Sequence, residues 1–421
     1  MITRYTAGLL SASVFGLFVE ASERLGEWSR FRGPGGQGVS QAKGIPIKFG
    51  TEENLVWKTP LPGPGGSSAI VFGDHIYVTG YSGYAVPGSQ GSDINALKRY
   101  LLCLKRADGT KVWEREVPAV QPEQPKVRDH GYASSTPLAD AERVYVFFGK
   151  SGVFAFSHEG KQLWHADVGS SVHGWGSATS PLIHKDLVII NASVESGSLV
   201  ALNKATGKEV WRTGGIKESW NTPILVPVEG RTELVLAIMG KVLGFDPETG
   251  KQRWSCATGI GWYMVPSLVN SNDVIYCLGG RTGGSLAVRA GGSEDVTGSH
   301  RLWTLNKGSN VPSPILHAGN LYWLHENLGI VYCAEAATGK IVYEERIEGA
   351  GQFYASPVLA DGKLYCVTRR GTVFVLAAKP QFEQLARNDL SDRSSFDASP
   401  TVDGDRLLVR SDKLLYCIGG K

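Results

Sequence analysis

The chain has 421 residues, with 43 Lys and Arg against 40 Asp and Glu and a net charge of +3. That length exceeds one ordinary compact core, so several domains or a repeat architecture are expected. The near-neutral charge argues against nucleic acid or an anionic membrane surface as partner, and 53 glycines with 11 tryptophans point to many tight turns between short strands.

The N-terminus reads as a secretory leader. Arg4 supplies the positive charge, Ala7 to Val19 is uncharged, and Val19-Glu20-Ala21 matches a small-residue cleavage site. The apolar stretch is short of the roughly 20 residues a spanning helix needs. Residues 1–21 are therefore expected to be a signal peptide, and the mature chain to be secreted or periplasmic with no transmembrane segment. Residues 22–53 are expected to form an extended lead-in whose Trp28 and Phe31 dock on the repeat domain. Within it, "GPGGQG" at 33–38 matches G-x-G-x-x-G. No strand precedes it and no helix comes after it, so a dinucleotide loop is not expected there.

From residue 54 the chain repeats itself. "ALNKATGKEVW" at 201–211 returns as "CLKRADGTKVW" at 103–113, "GFDPETGKQRW" at 244–254 and "CAEAATGKIVY" at 333–343. Each unit opens near a proline: Pro137, Pro181, Pro223, Pro266, Pro314, Pro357 and Pro400, spaced by 42 to 48 residues, and Ala69 opens a further unit. Such a period signals a repeat architecture. Alternating apolar residues bounded by Gly, Asp and Asn predict four short strands per unit. A four-stranded sheet cannot bury both faces alone, and radial stacking solves this while leaving only short edges. Trp113, Trp164, Trp211, Trp254 and Trp303 are expected as wedges between neighbouring sheets, with Tyr343 and Leu385 in their place in units six and seven. The last unit stops after its third strand. Its fourth is expected at 54–63, with Trp57 as wedge, so that the two ends clasp a ring. The sequence thus predicts an all-β fold, an eight-bladed β-propeller over 54–421, which needs no partner to fold and is compatible with a monomer. An open solenoid would leave two unpaired edges. The six Cys fall at small apolar strand positions, with no adjacent pair and no C-x-x-C, and are expected to be free buried thiols.

The phrase A-x-x-x-x-T-G-K-x-x-W resembles the repeat of the pyrroloquinoline quinone (PQQ) type propellers over almost the whole mature chain. The chain looks most like secreted bacterial PQQ-binding-like repeat proteins. The resemblance implies one of two roles. One is a non-catalytic envelope propeller, as in the lipoprotein of the outer-membrane β-barrel assembly machinery. The other is a quinoprotein dehydrogenase that oxidises alcohols or sugars with PQQ and calcium. This chain departs from both: it has no adjacent Cys pair, no haem motif and no Cys before Cys103 to acylate.

Propeller topology puts the approaches to the inner strands and the loops between second and third strands on one face. His130, Tyr132, His173, Trp175, Trp220, Asn221, Trp262, Tyr263 and Tyr354 should gather there near the axis, with Arg281 and Arg369 from the loops. Aromatic walls with a few polar groups suit a ligand site; packing that plugs the channel is the bland alternative. In the quinoprotein reading a Trp stacks PQQ, Arg281 or Arg369 pairs its carboxylates, and Asp397 is the base. Asp129, Glu218, Glu326 and Asp397 are the candidate calcium ligands, though six to eight oxygens cannot be assembled from them. His130, His173 and His325 lack the local spacing of a metal site. The reading favoured is an extracytoplasmic binding scaffold for a small molecule, a glycan or an envelope protein, with the PQQ- and calcium-dependent oxidoreductase as alternative.

Overall fold

A computed structural model describes residues 28–88, 93–281, 283–390 and 392–420. The expected signal peptide at 1–21 lies outside the described residues. Eight antiparallel sheets form an eight-bladed propeller. The inner strands of blades 1 to 8 are Ile70–Phe72, Leu138–Ala139, Leu182–His184, Ile224–Val228, Val269–Ser271, Ile315–His317, Val358–Ala360 and Thr401–Asp403. Blade 3 shows the pattern: Leu182–His184, Leu187–Ala192, Ser198–Asn203 and Glu209–Gly214 pair in that order. The clasp is as expected. Leu55–Pro60 pairs antiparallel with Leu414–Ile418, setting Trp57 opposite Cys417 and completing blade 8.

The repeat motif is one contact made between neighbours. The indole of Trp113 in blade 1 packs on Gly160 of blade 2, Trp164 on Gly207, Trp211 on Gly250, Trp303 on Gly339, and Trp57 on Gly109 across the clasp. Each of these glycines has a positive φ in its turn, so the missing side chain serves both the turn and the docked ring. The indole N–H then donates to the next blade's backbone: Trp113 to His158 O at 2.8 Å, Trp164 to Lys204 O at 3.0 Å, Trp211 to Pro247 O at 3.1 Å and Trp303 to Ala336 O at 2.9 Å. Trp254 differs. The turn it would meet in blade 5 is replaced by a longer connection, whose Glu294–Asp295 adds a parallel fifth strand to blade 4. Trp254 donates instead to Glu233 of its own blade at 2.6 Å.

Around the axis, a second series joins the inner strands. The backbone N–H of Ser68 donates to the Thr136 hydroxyl, and the series continues through Ser180, Thr222, Ser267, Ser313, Ser356 and Ser399, each bond 2.9–3.0 Å. This hydroxyl belt corrects one register: in blade 5 the marker is Ser267, so Leu268, not Pro266, stands where proline comes after the hydroxyl elsewhere. The belt ends between blades 8 and 1, where Ser68 Oγ is buried without a partner among the described residues.

Leu385 is not the wedge of blade 7. The register pairs Ala386 with Val375, and Leu385 is the bulge residue beside it. The lead-in packs into the same core. Ile45 and Phe49 are buried in one cluster with Ala386, and Ile47 packs against it. Phe49 N–H donates to Asn388 Oδ1 at 3.0 Å, and Asn388 returns a bond to Ile47 O at 2.9 Å. Val39–Ser40 adds a parallel strand to the inner edge of blade 7. All six cysteines are buried and free.

Candidate functional site

The belt and the loops above it enclose a cavity of about 170 Å³ on the axis. Its aromatic wall is Trp175, Trp220, Tyr263 and Tyr354, and its polar lining includes Asp129, His130, Asn310 and Asp397. The opposite end is closed by the lead-in. There Trp28 O, Ser29 O and Gly38 O accept N–H bonds from Val71, Ala139 and Leu359, at 2.8–2.9 Å, in the inner strands of blades 1, 2 and 7. Phe31 enters the cavity lining from this strap. Arg32 anchors the strap: its buried guanidinium donates to Gly36 O at 3.2 Å, Gln37 O at 2.9 Å and Pro314 O at 2.5 Å. Burial without a carboxylate partner pulls its pKa down to about 9.

At the rim, Arg369 grips Asp397 bidentately, with Nε to Oδ1 at 2.7 Å and Nη2 to Oδ2 at 3.1 Å. The same guanidinium lies 4.0 Å over the Tyr354 ring and reaches Asp129 Oδ1 at 3.5 Å. Burial pushes the Asp397 carboxyl above its ordinary range, against the pull of Arg369. His130 is partly buried, its Nδ1 lies 2.5 Å from Ser134 Oγ, and desolvation lowers its pKa, which favours the neutral ring. Trp220 is fixed by an Nε1 bond to Gly176 O at 2.7 Å and meets Tyr263 edge-on at 5.7 Å. Trp175 tilts against Tyr263 at 5.8 Å. Outside it, Trp262 is 43% exposed, 5.5 Å from Tyr263.

The structure gathers His130, Trp175, Trp220, Tyr263, Tyr354, Asp129, Arg369 and Asp397 about one cavity, with Arg281 and Glu326 at its outer mouth. Other sequence candidates lie elsewhere. Tyr132 is buried against Tyr81, its hydroxyl bonded to Gln124 O at 2.7 Å. The Asn221 amide is fully buried and donates to Ser219 Oγ at 3.0 Å and Met264 O at 3.2 Å, tying blade 4 to the loop before blade 5. His173 flanks Trp220 from a separate small cavity beside Arg99 and Glu123. Glu218 acts through its backbone, its carbonyl accepting Met264 N–H at 2.9 Å. Sequence reading missed Asn310, Arg128 and the belt hydroxyls. The recurrent Ser or Thr before proline was the signal for the belt, and it did not extend to Asn310 or Arg128.

The residues do not fit a calcium–quinone pair. Among the described residues no three His, Cys, Asp or Glu side chains converge on a metal position. Asp129 and Asp397 share Arg369, whereas Glu326 Oε2 accepts Asn310 N–H at 3.1 Å and Oε1 accepts Asn327 Nδ2 at 3.2 Å. Of the two guanidiniums expected to pair a quinone carboxylate, Arg369 is thus already engaged, and Arg281 stands at the outer mouth beside Trp262.

Comparison with known proteins agrees with this architecture. A family model described as outer membrane protein assembly factor BamB matches residues 50–218 and 98–345. No curated protein sequence matches the chain. Among solved structures, BamB from Moraxella catarrhalis superposes with a TM-score of 0.62 at 16% identity, covering 87% of this chain and 97% of that one. The quinohemoprotein alcohol dehydrogenase from Comamonas testosteroni gives 0.68 at 12% identity, covering 96% and 82%. A europium-containing methanol dehydrogenase gives 0.64 at 12% identity, covering 94% and 99%. Identities this low show the shared propeller alone. With the family model matching more than half its length, the chain belongs to the family described as outer membrane protein assembly factor BamB, a family of PQQ-like propeller repeats.

Proposed function

We propose that this propeller is an extracytoplasmic binding scaffold that receives its ligand or partner through the axial face. One observation carries the reading: an aromatic-walled cavity open at the loop face and closed below by the 28–40 strap, with its carboxylates held by Arg369 or by backbone donors. A ligand site needs that concavity and those few polar groups, and a calcium-dependent oxidation site needs oxygen ligands that do not converge among the described residues. Membership of a family described by an envelope assembly factor supports an envelope location and a protein or ligand partner over an enzymatic role.

The test is a fluorescence titration of the purified chain with PQQ and calcium, beside retention of envelope extract components on the immobilised chain. The scaffold reading expects no saturable quenching, and retained components that are lost in Trp175→Ala and Trp262→Ala. Saturable quenching by PQQ with calcium would replace this reading with the quinoprotein one. Identical retention by wild type and both variants would remove the axial site.

A further inference from the structure

Five belt hydroxyls line the axial cavity: Thr222, Ser267, Ser313, Ser356 and Ser399. Each oxygen accepts a neighbouring backbone N–H. Among the described residues none of the five donates its own proton to a protein acceptor. A hydroxyl is donor and acceptor at once, so the belt presents an arc of oriented, unengaged donors. Near them Asn310 Oδ1 is buried and accepts no hydrogen bond among the described residues, while its amide nitrogen faces the Tyr263 hydroxyl at 3.4 Å. Unpaired buried polar groups are costly, and a ligand that carries both donors and acceptors relieves that cost. The aromatic walls add a demand for an apolar face. A small polyhydroxylated ring meets all three requirements.

The mouth adds charge. Arg128 lies 5.2 Å over the Trp175 ring and Arg281 lies 5.9 Å over Trp262. Both are exposed, and neither has a carboxylate partner among the described residues. A guanidinium that lies over a ring and has no carboxylate partner keeps N–H donors for an anion. Lys126 lines the same mouth, where the carboxylates are the engaged Asp129 and Glu326. The field at the entrance therefore favours negative charge.

We propose that, within the binding reading above on which this rests, the cavity receives the terminal residue of an acidic glycan. The sugar ring packs against Trp175 and Tyr263, and its hydroxyls pair with the belt and with Asn310 Oδ1. Carboxylate or sulfate groups on that residue and the next meet Arg128 and Arg281. The strap that closes the far end restricts entry to a chain end. A peptide strand would instead need an open sheet edge, and the axial face is built of loops.

The experiment is calorimetric titration of the full chain with four probes: an oligoglucuronate, a sulfated oligosaccharide, a neutral gluco-oligosaccharide of equal length and a poly-glutamate peptide of equal charge. At least one acidic oligosaccharide should bind saturably and the neutral one at least tenfold more weakly; which acid wins identifies the group. Substituting both Arg128→Ala and Arg281→Ala, at exposed positions that do not endanger folding, should erase the difference between acidic and neutral sugars. Trp175→Ala should weaken both at least tenfold. Poly-glutamate binding as tightly as the acidic sugars, with loss in Trp175→Ala, would make the ligand an acidic peptide and overturn the glycan while sparing the binding reading. The same binding unchanged in Trp175→Ala would reduce the mouth to an anion patch and also overturn the glycan. No binding of any probe overturns the glycan as well, and the retention experiment then decides separately whether the axial site binds anything.

Discussion

The indole of Trp211 rests on the α-carbon of Gly250 in the next blade, where an added Cβ would lie 2.4 Å from the ring. Two halves of the repeat motif, the Trp and the TG turn, are thus the two sides of one interface. Trp211→Ala removes a buried aromatic and the Nε1 bond to Pro247 O, and is expected to cost about 3–5 kcal/mol. Gly250→Ala should destabilise through both its φ of 70° and the collision. Gly362 is the control: its φ is 68° but nothing lies within 4 Å of an added Cβ. Gly362→Ala should therefore cost only the backbone penalty, about 1–2 kcal/mol. Denaturant unfolding of the three variants checks the order, and equal costs for the two glycine changes would refute the docking.

Ring closure is a stability device that can be cut. Leu55–Pro60 supplies the outer strand of blade 8 and places Trp57 on Gly109 of blade 1. Deleting 54–63 exposes the edge of Leu414–Ile418 and removes one interblade wedge. The expected result is loss of the single cooperative transition, read by scanning calorimetry. An unchanged melting profile would mean the ring does not depend on its clasp.

The repeat was legible because in most blades its period is written twice, in an aromatic and in a glycine, and the two meet at the Trp57, Trp113, Trp164, Trp211 and Trp303 steps of the ring. The clasp was legible from arithmetic: a three-stranded last unit requires a fourth strand elsewhere. The wedge of blade 7 was not. Counting along the repeat puts Leu385 at the Trp position, but the blade 7 turn is one residue longer, so that Val375 pairs with Ala386 where Ala201 pairs with Trp211, and Phe49 and Ile45 of the lead-in join the cluster that holds Ala386. The Phe49–Asn388 bond spans 339 residues. No local pattern announces such a pairing. At the site, loop membership identified Trp175, Trp220, Tyr263 and Tyr354, whereas Asn221, next to Trp220, turns inward. Whether a loop amide faces a cavity or ties two blades depends on the neighbouring backbone, which spacing does not encode.

Glu195 is buried in the second-to-third strand loop of blade 3, its Oε1 bonded by the Ser177 hydroxyl. Burial raises its pKa to about 7, with the Ser177 bond opposing. The folded protein holds this proton up to about pH 7, whereas the unfolded chain releases it near 4.5. Stability should therefore fall as pH rises from about 4.5 to about 7 and flatten above. The full difference is on the order of 3 kcal/mol for this group. Glu195→Gln should flatten the profile in that window, measured by urea unfolding at fixed pH values; an unchanged slope would assign it to other groups.

Arg369 holds Asp397 in a nearly buried ion pair, with 19% and 6% of the side chains exposed. Arg369→Met leaves Asp397 without its cation and is expected to cost about 3–5 kcal/mol, the usual penalty for stranding one partner. Because burial already raises the Asp397 carboxyl, loss of Arg369 should raise it further, so the variant should recover stability as pH falls and the carboxylate takes up its proton. Arg369→Met with Asp397→Asn should be milder than Arg369→Met alone at neutral pH. Additive losses in that double variant would show that the pair is not coupled.

Phe49 lies outside the repeats yet is buried in the cluster that holds Ala386 of blade 7 and Tyr416 of blade 8. Its cluster joins Ala386 to Val375 and to Tyr416 of blade 8, and its backbone N–H is held by Asn388 Oδ1. If the lead-in acts as the missing wedge, Phe49→Ala should cost about 3–5 kcal/mol, as much as a repeat tryptophan. Cleavage of the backbone within 50–54 should then weaken the ring less than this single substitution, since the packed cluster and the clasp strand persist as separate contacts. Limited proteolysis followed by thermal unfolding distinguishes these outcomes. A Phe49→Ala variant within about 0.5 kcal/mol of wild type, the range of ordinary surface changes, would mean that blade 7 needs no wedge.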